Sequence, residues 1–441
     1  MRTTRRKVVV TGLGAVTPLG RDVASMWDAM KKGRGAVSRI SLFDASGFPT
    51  RIAGEVKGWD TARDVSDAIC PRKLRKYLDR KTAFAVKAAA EAMAQAGLAP
   101  GKLAAERFGV AMGTEAGRPL LEQIADRILE AKRRGLGGAA EAGPTIDERN
   151  IQAALDSLDP VELVREMPHT PAAVLALIHG AKGPNTTVST ACTSSAQSVG
   201  DAFDRVRRGE VDVMLAGGCD ALVEAFMVTG FSLLGALSQR NDDPVRASRP
   251  FDAGRDGFVL AEGAGFVVLE AEEHAKARGA RVLSELAGFG ASSNAWRITD
   301  SPPDGRGAWQ SMRFALEDAG LTPDDVGYIN AHGTSTQQND LSETNGIKRL
   351  LGDRAKKVPV SSTKSMMGHL VAACGAVELV ACVKAMEDRV LPPTINYDTP
   401  DPACDLDYVP NEARPAGVDV MLTNSFGFGG SNGTIAIRRA A

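Results

Sequence analysis

Cys192 stands at a position where a strand is predicted to pass into a helix. The β-branched end of 183–190 predicts the strand, and apolar residues at spacings of three and four predict a helix over 194–208. The positive end of the helix dipole would favour the thiolate, which is the nucleophilic form of cysteine. A thiolate here can take an acyl group from a thioester. The alternative is a buried structural cysteine, because free cysteine is among the most buried residue types.

Two of the five histidines stand directly after predicted buried strands. His332 follows the strand 326–331, and His369 follows the strand 358–363 together with Lys364. Strand ends are where an open α/β sheet presents its chemistry. A neutral imidazole can donate to a developing oxyanion, and we expect Lys364 to tune the histidines rather than act as a base. A lone histidine in such a place is more often a core residue, but this combination predicts one shared site.

Predicted strands and helices, which must position these residues, alternate along the whole chain. Alternating strands and helices over 441 residues predict an α/β fold. Within this pattern, the helices are predicted over 81–96, 194–208, 309–319 and 371–386, and the strands over 7–11, 108–112, 211–216, 258–269 and 418–422. Gly12-Leu-Gly14 resembles the opening of a dinucleotide-binding loop, but the third glycine is missing and Pro18 interrupts the helix that should follow. We therefore expect a tight turn there and no nicotinamide cofactor.

The overall composition narrows the class of protein. A hydrophobic content of 44% is ordinary for a protein with a substantial core, and a net charge of −1 argues against nucleic acid or anionic membrane as a partner. No signal peptide or membrane span is predicted. The six cysteines are scattered, without the spacing of metal ligands, so reduced thiols in a cytoplasm and no metal site are expected.

Four motifs carry a resemblance to a known family. They are, in chain order, Ala191-Cys-Thr-Ser-Ser195, His332-Gly-Thr-Ser-Thr336, Lys364-Ser-Met-Met-Gly-His369 and Asn424-Ser-Phe-Gly-Phe-Gly-Gly430. In this order the chain resembles the β-ketoacyl-acyl-carrier-protein synthases, the elongating condensing enzymes of fatty-acid and polyketide synthesis. The resemblance runs nearly end to end. It implies the thiolase fold, in which two similar halves pack as five alternating layers of helix and sheet.

The resemblance also implies a division of the chain and a set of site residues. The first half, 1–275, would carry the nucleophile and an insertion at about 115–168, and the second half, 276–441, would carry both catalytic histidines. The implied catalytic residues are Cys192, His332, His369 and Lys364, and the implied oxyanion hole and gate are formed by Cys192 and Phe428. Substrate binding is assigned to Thr334, Thr336, Thr299, Phe426 and Ala116, and carrier-protein docking to Arg72, Lys73, Arg75 and Lys76. Glu378 is expected to support the site as a partner for Lys364 or for a backbone amide, with a simple surface carboxylate as the alternative.

Several functional alternatives stay open within this resemblance. The expected activity is a 3-oxoacyl-carrier-protein synthase, a homodimer that needs no cofactor because phosphopantetheine arrives on the acyl carrier protein. Gln338-Asn-Asp340, followed by Glu343-Thr344, resembles aromatic-polyketide ketosynthases, whereas His332-Gly-Thr-Ser-Thr336 resembles the fatty-acid enzymes. A polyketide or aryl-polyene ketosynthase, with a ketosynthase-like partner in a heterodimer, is therefore the alternative. A non-catalytic chain-length partner subunit is disfavoured by Cys192. A thiolase is disfavoured because His369 stands where thiolases use a second cysteine.

The acyl-chain preference is expected to depend on Ala116, which is smaller than the branched residue common at this position in the family. Each methylene buried in an apolar pocket is worth about 0.8 kcal/mol, so a change of depth shifts preference several-fold. Ala116→Phe should therefore shorten the longest acyl group that Cys192 accepts and leave short chains nearly unaffected, as measured by mass spectrometry of the acylated protein. Equal slowing of all chain lengths would remove Ala116 from the pocket wall.

Overall fold

The computed structural model describes residues 6–101, 103–115, 121–134, 148–157 and 159–440. Its strands are β1 Val8–Val16, β2 Ser38–Arg39, β3 Ile52–Ala53, β4 Phe108–Gly113, β5 Asn185–Val188, β6 Val213–Asp220, β7 Gly263–Ala271, β8 Ser284–Ser293, β9 Tyr328–Asn330, β10 Val360–Ser361, β11 Val390–Leu391, β12 Arg414–Pro415, β13 Val420–Phe426 and β14 Ser431–Arg439. Its helices are α1 Val23–Lys31, α2 Thr61–Asp64, α3 Arg80–Gln95, α4 Leu121–Arg133, α5 Glu148–Asp156, α6 Pro160–Glu166, α7 Thr170–His179, α8 Ser194–Arg207, α9 Ala225–Leu233, α10 Glu272–Ala277, α11 Arg306–Ala319, α12 Gln337–Leu351, α13 Lys364–Met367 and α14 Cys374–Asp388.

Ten of these strands form one sheet with an internally repeated order. The order is β10-β9-β13-β14-β8-β1-β7-β6-β4-β5, so that each half of the chain contributes five neighbouring strands. Counted within its own half, each set has the same sequence of positions, with β1, β4, β5, β6 and β7 matching β8, β9, β10, β13 and β14. The two sets meet through a short antiparallel ladder between β1 and β8. The two halves are therefore structural repeats, although their residues show no visible repeat.

Helices cover both faces of each five-stranded set. The outer helices α3 and α7 pack on the first set, and α11 packs on the second. Between the two sets lie α8 and α14, each of which contacts strands of both halves. The α14 side chains are almost wholly buried, as expected of a helix enclosed on all sides. This is the expected arrangement of five alternating layers.

The two central helices approach each other closely at Gly375. A Cβ atom added there would lie 3.0 Å from the Cβ of Ala196 on α8 and 2.8 Å from Ser425 Oγ. The backbone N–H of Ala376 also donates to Ser195 Oγ at 3.0 Å, which links the two helices directly. Because Cys192 shortly precedes α8 and His369 shortly precedes α14, this contact sets the distance between the two residues.

Two predicted elements differ from the observed ones near His369. The predicted strand 258–269 begins only at Gly263, because residues 258–261 leave the sheet, and two of them, Val259 and Ala261, bond instead to the His369 loop. In that loop, the His369 N–H donates to Val259 O at 2.7 Å, and the Ala261 N–H donates to His369 O at 2.9 Å. The predicted helix 371–386 divides into a 3₁₀ turn, Val371–Ala373, and α14. Both differences serve to fix the backbone of His369.

The expected tight turn at Gly12 and Gly14 is wrong. Both glycines lie inside β1, where the adjacent α3 packs directly on the strand backbone. A Cβ atom at Gly12 would lie 2.1 Å from Ala92 O, and one at Gly14 would lie 1.8 Å from Ala88 O. The glycines therefore permit close helix–strand packing rather than a change of chain direction.

The predicted insertion contains three helices in its described part, α4, α5 and α6. Helix α6 packs beside the 3₁₀ helix Arg72–Tyr77, where Arg165 Nε donates to Lys76 O at 3.1 Å. The basic segment expected to dock a carrier protein is thus a neighbour of the insertion. Among the residues that the structure describes, none belongs to a helix long and apolar enough to cross a membrane.

The contact between α8 and α14 can be tested by enlarging Gly375. Gly375→Ala should lower the free energy of unfolding by about 1–3 kcal/mol, because neither backbone has room for the added methyl group. Gly230→Ala is the matched control, since Gly230 lies inside α9 with no atom within 4 Å of an added Cβ. Alanine there should stabilise the helix by up to about 1 kcal/mol. Urea-unfolding midpoints provide the comparison, and equal midpoints for the two variants would contradict the packing argument.

Candidate active site

Cys192 lies in a strained elbow between β5 and α8. Ala191, immediately before it, has φ +52°, a left-handed conformation that is uncommon for residues other than glycine. Ser194 closes the turn, because its Oγ accepts the Thr190 N–H at 2.8 Å and donates to Ala191 O at 2.6 Å. The elbow leaves Cys192 partly exposed at the base of a cavity, two residues before the start of α8.

His369 contacts the cysteine directly, and its tautomer follows from its second ring nitrogen. The Nε2 atom lies 3.0 Å from Cys192 Sγ. The Nδ1 atom lies 3.2 Å from the Val371 backbone nitrogen, whose N–H donates to it. A neutral ring that accepts at Nδ1 carries its hydrogen at Nε2. His369 therefore points a hydrogen-bond donor at the sulfur and at whatever group is attached to it.

His332 completes the site from the end of β9. Its ring centroid lies 5.2 Å from that of His369, and a ring nitrogen of each histidine lies within 4.8 Å of Cys192 Sγ. The backbone around it is held by the buried carboxylate of Glu343, which accepts the N–H groups of His332 and Gly333, each at 2.8 Å. The two imidazoles and the sulfur thus face one small volume.

A buried ion pair behind the histidines keeps them neutral. Lys364 donates to Glu378, and both side chains are almost completely inaccessible to water. Burial disfavours the ammonium, but Glu378 outweighs this effect and raises the pKa of Lys364. Burial and the Lys364 charge together hold the pKa of His332 and of His369 well below the usual range. Both rings are consequently uncharged near neutral pH.

The expectation that the Cys192 thiolate is favoured at rest is wrong. Burial raises the pKa of the Cys192 thiol to about 12, and the charge of Glu115 adds to this shift. The charge of Lys364 and the backbone N–H groups of Phe428 and Cys192 act in the opposite direction. The loss of water around the sulfur therefore outweighs the favourable position near a helix N-terminus.

The glycine-rich turn after β13 brings Phe428 to the cysteine. Gly427 packs against the elbow so closely that a Cβ atom would lie 3.1 Å from Thr190 O and 3.3 Å from the Cys192 nitrogen. Gly429, with φ +82°, then returns the chain, and its N–H donates to Ile298 O at 2.6 Å. The N–H groups of Phe428 and Cys192 converge on the sulfur, as donors to a carbonyl oxygen bound there would have to do.

A cavity of about 310 Å³ joins these groups to the surface. Of the residues predicted from the sequence, those lining it are Cys192, His332, His369, Thr299, Thr334, Thr336, Phe426 and Phe428. Lys364 and Glu378 lie behind the histidines, and Arg72, Lys73, Arg75 and Lys76 lie on a separate 3₁₀ helix, where Asp67 pairs with Arg72 and Arg75. Ala116 lies outside the described residues.

Gly235 lines the same cavity. It adopts φ +64°, a conformation that a side chain would strain. A glycine at this position is therefore a requirement of the local backbone.

The sequence interpretation gave no role to several carboxylates that are buried or, for Glu115, half-buried. Glu343 holds the His332 backbone, and Asp340 accepts the N–H groups of Thr334 and Phe251 at 3.0 and 2.9 Å. Glu115 and Asp220 hold the elbow and the His369 loop in the same manner. The only signal in the sequence was the presence of acidic residues close to small residues at predicted strand ends.

Cys192, His332 and His369 are also the group of side chains, among the described residues, whose spacing could hold a metal ion. The hydrogen-bond pattern opposes that use. With Nδ1 accepting from Val371, the His369 Nε2 carries a hydrogen rather than a free lone pair. Moving that hydrogen to Nδ1 would place the Nδ1–H directly opposite the backbone N–H of Val371, so that two donors would face each other. The arrangement fits donation to an oxyanion better than metal ligation.

Comparison with known proteins gives family matches over most of the chain. The family model described as "Beta-ketoacyl synthase, N-terminal domain" matches residues 5–275, and "Beta-ketoacyl synthase, C-terminal domain" matches residues 283–398. The chain is 42% identical over 435 residues to 3-oxoacyl-[acyl-carrier-protein] synthase 2 of Synechocystis, covering 99% of this chain and 98% of that protein. It is 43% identical over 439 residues to the tetracenomycin polyketide synthase ketoacyl synthase alpha subunit of Streptomyces glaucescens, covering 99% and 98%.

A solved structure gives the same result at the level of the fold. The structure contains a type II polyketide synthase acyl-carrier protein in complex with its ketosynthase bound to the hexaketide. Superposition gives a TM-score of 0.82 with 36% identity, covering 99% of this chain and 100% of the other.

The raised pKa of the cysteine predicts how its reactivity depends on pH. Below the pKa the thiolate fraction rises with pH, so alkylation of Cys192 by iodoacetamide should accelerate about tenfold per pH unit from about pH 7 to about pH 10 without levelling. The charged and titratable groups facing the sulfur are Lys364, Glu115, His332 and His369. Mass spectrometry identifies the modified residue, with Cys192→Ala as the background. A plateau below about pH 8 would show that the thiolate predominates at rest.

Proposed function

The chain belongs to the β-ketoacyl synthase family, and from that premise we propose that it is a 3-oxoacyl-acyl-carrier-protein synthase, which joins a Cys192-bound acyl group to malonyl carrier protein with loss of carbon dioxide. One observation carries the proposal. Two neutral imidazoles and a cysteine surround a single cavity, with His369 Nε2 3.0 Å from Cys192 Sγ. A nucleophile next to donors that carry no charge suits a reaction that first forms a thioester and then an enolate.

In the first step, Cys192 Sγ attacks the thioester carbon of an acyl carrier protein. The carrier's phosphopantetheine sulfur leaves with the electron pair of the broken C–S bond and takes up the proton that the thiol gives up. Negative charge gathers on the thioester oxygen during the attack. We assign the N–H groups of Cys192 and Phe428, both of which act on the sulfur, to hold that oxygen. The acyl group then remains on Cys192.

In the second step, malonyl carrier protein loses its carboxylate. The bond between the carboxylate carbon and the α carbon breaks, carbon dioxide leaves, and the electron pair becomes an enolate. The N–H of His369 and that of His332 would donate to the enolate oxygen without a fixed positive charge. The α carbon then attacks the acyl carbon, and Cys192 Sγ leaves with the electron pair of the broken C–S bond and takes up a proton from water to restore the thiol. The 3-oxoacyl product stays on the carrier.

The rest of the cavity is suited to the arm that brings the substrates. Thr334 and Thr336 share a hydrogen bond of 2.9 Å between their hydroxyl groups and, with Thr299, line the cavity. We assign these three threonines to the phosphopantetheine arm, so that no free cofactor is needed. The solved ketosynthase with its acyl-carrier protein supports an acyl carrier protein as the partner. Exposed Lys73 and Lys76, with Arg72 and Arg75, are the proposed docking segment.

The proposed division of labour follows the repeated strand order. Residues 1–275 supply the nucleophile, and residues 276–441 supply both histidines and Lys364. A homodimer is the proposed assembly. A ketosynthase of a polyketide or aryl-polyene pathway remains the second candidate, because the tetracenomycin relative is as similar as the fatty-acid one. The presence of Cys192 disfavours a non-catalytic partner subunit.

The roles of the three residues can be separated in one set of reactions with acyl and malonyl carrier proteins. Cys192→Ala should abolish condensation and leave the melting temperature unchanged. Cys192→Gln should release carbon dioxide from malonyl carrier protein without condensation, because its amide resembles a bound thioester. His332→Ala and His369→Ala should still accept an acyl group but lose about a hundredfold to a thousandfold in carbon dioxide release.

His169→Ala provides the matched control, because His169 is exposed and does not line the cavity. Intact mass reports acylation, and radiolabelled malonyl carrier protein reports carbon dioxide release. Condensation by Cys192→Ala would overturn the proposed function. Normal carbon dioxide release by both histidine variants would remove the histidines from the reaction.

A further inference from the structure

Glu115 occupies a position equivalent to that of His332 in the repeated fold. His332 lies two residues after β9, and Glu115 lies two residues after β4, the matching strand of the first half. The family motifs that identified the histidines do not include Glu115. Its carboxylate nevertheless points at the elbow that carries Cys192.

The carboxylate binds the strained part of the elbow. Its Oε1 atom accepts the Ala191 N–H at 3.2 Å, and its Oε2 atom accepts the Ser189 hydroxyl at 3.1 Å. Ala191 is the residue with φ +52°, a conformation in which Cβ approaches the following carbonyl oxygen too closely. Bonds to both sides of Thr190 oppose the relaxation of Ala191 to an ordinary backbone conformation.

Glu115 is itself held by buried groups. Its N–H donates to Asp220 Oδ1 at 3.2 Å, and its carbonyl oxygen accepts from Lys81 Nζ at 3.2 Å. Asp220 is fully buried at the end of β6, and its other oxygen accepts the Ala372 N–H at 2.9 Å. Ala372 follows Val371, a second residue with positive φ (+46°) and the one whose N–H fixes the His369 tautomer. The carboxylates of Glu115 and Asp220, joined through the Glu115 N–H, therefore connect the strained backbone at Ala191 with that at Val371.

We propose that Glu115 is a positioning residue for Cys192, which holds Ala191 in its left-handed conformation so that the sulfur meets the N–H groups of Phe428 and His369. This proposal rests on the proposed role of Cys192 as the nucleophile. Glu115 touches neither the sulfur nor a reacting atom in the hydrogen bonds it makes. Its negative charge opposes ionisation of Cys192, so its benefit must come from the bonds it accepts rather than from its charge.

Three substitutions separate the hydrogen bond from the charge. Glu115→Asp keeps the charge but shortens the side chain by one methylene group, which takes the carboxylate out of reach of Ala191. Glu115→Gln keeps the length and an accepting oxygen but removes the charge. Ala191→Gly removes the need for a restraint, because glycine adopts positive φ readily. The readout is the rate of Cys192 alkylation by iodoacetamide at one fixed pH, followed by mass spectrometry.

Glu115→Asp should slow alkylation by about tenfold or more, because the sulfur drifts from its N–H donors. Glu115→Gln should react at least as fast as the unmodified protein. Adding Ala191→Gly to Glu115→Asp should restore most of the lost rate. Glu106→Asp, an exposed glutamate shortened in the same way, should leave the rate unchanged.

A purely electrostatic role predicts that Glu115→Asp, which keeps the charge, reacts at the normal rate, and that result would overturn the proposal. Slow alkylation of Glu115→Gln would overturn it too, because that variant keeps the accepting oxygen. Failure of Ala191→Gly to restore the rate would overturn it as well. Melting temperatures identify a variant that loses rate by unfolding, and if Glu115→Asp does not fold, the same comparison is made with Glu115→Ser and its Ala191→Gly double variant. Alkylation needs no carrier protein, so this result stands apart from any failure of the proposed condensation.

Discussion

Helices α8 and α14 lie in contact because Gly375 offers no side chain where it meets Ala196. Each helix is preceded by one of the reactive loops, the elbow of Cys192 and the loop of His369. The separation of 3.0 Å between Sγ and Nε2 therefore depends on helix packing in the middle layer as well as on the hydrogen bonds that hold each loop. Both helices contact strands of both halves, so the outer layers also bear on that distance. Close packing of this kind deforms little, which suits a site that needs fixed geometry.

Within this frame, water exclusion keeps the three groups that face the cavity, Cys192, His332 and His369, uncharged. Burial disfavours a charge on Cys192, His332 and His369 alike. Lys364 keeps its charge mainly because Glu378 lies against it, and the resulting positive field further disfavours charged histidines. The two rings can then act only as neutral donors. A site arranged in this way stabilises negative charge that appears during a reaction while holding no positive charge on the groups that contact it.

The residues that could be recognised from sequence are those with a local signature. Cys192 before an amphipathic helix and His332 and His369 after apolar strands were all predicted where the structure has them, because strand and helix periodicities are local properties. The residues whose roles could not be predicted from the sequence depend on contacts between distant parts of the chain. Nothing near Glu115 indicates that its partners are Ala191 and Ser189, and nothing near residues 258–261 indicates that they support His369. The raised pKa of the Cys192 thiol could not be predicted for the same reason, because the burial of the sulfur depends on the whole fold.

The repeated strand order has a consequence for how such a site arises. Cys192 follows β5 and the His369 loop follows β10, its counterpart, while Glu115 and His332 follow the counterparts β4 and β9. Duplication of an ancestral unit would create two copies of each strand end facing each other across an approximate twofold axis. One copy could then keep the nucleophile while the other became a donor, because only one of each is needed at a site shared by both. A substitution at one strand end alters the surroundings of the equivalent strand end in the other half. The two halves are therefore expected to evolve as a coupled pair.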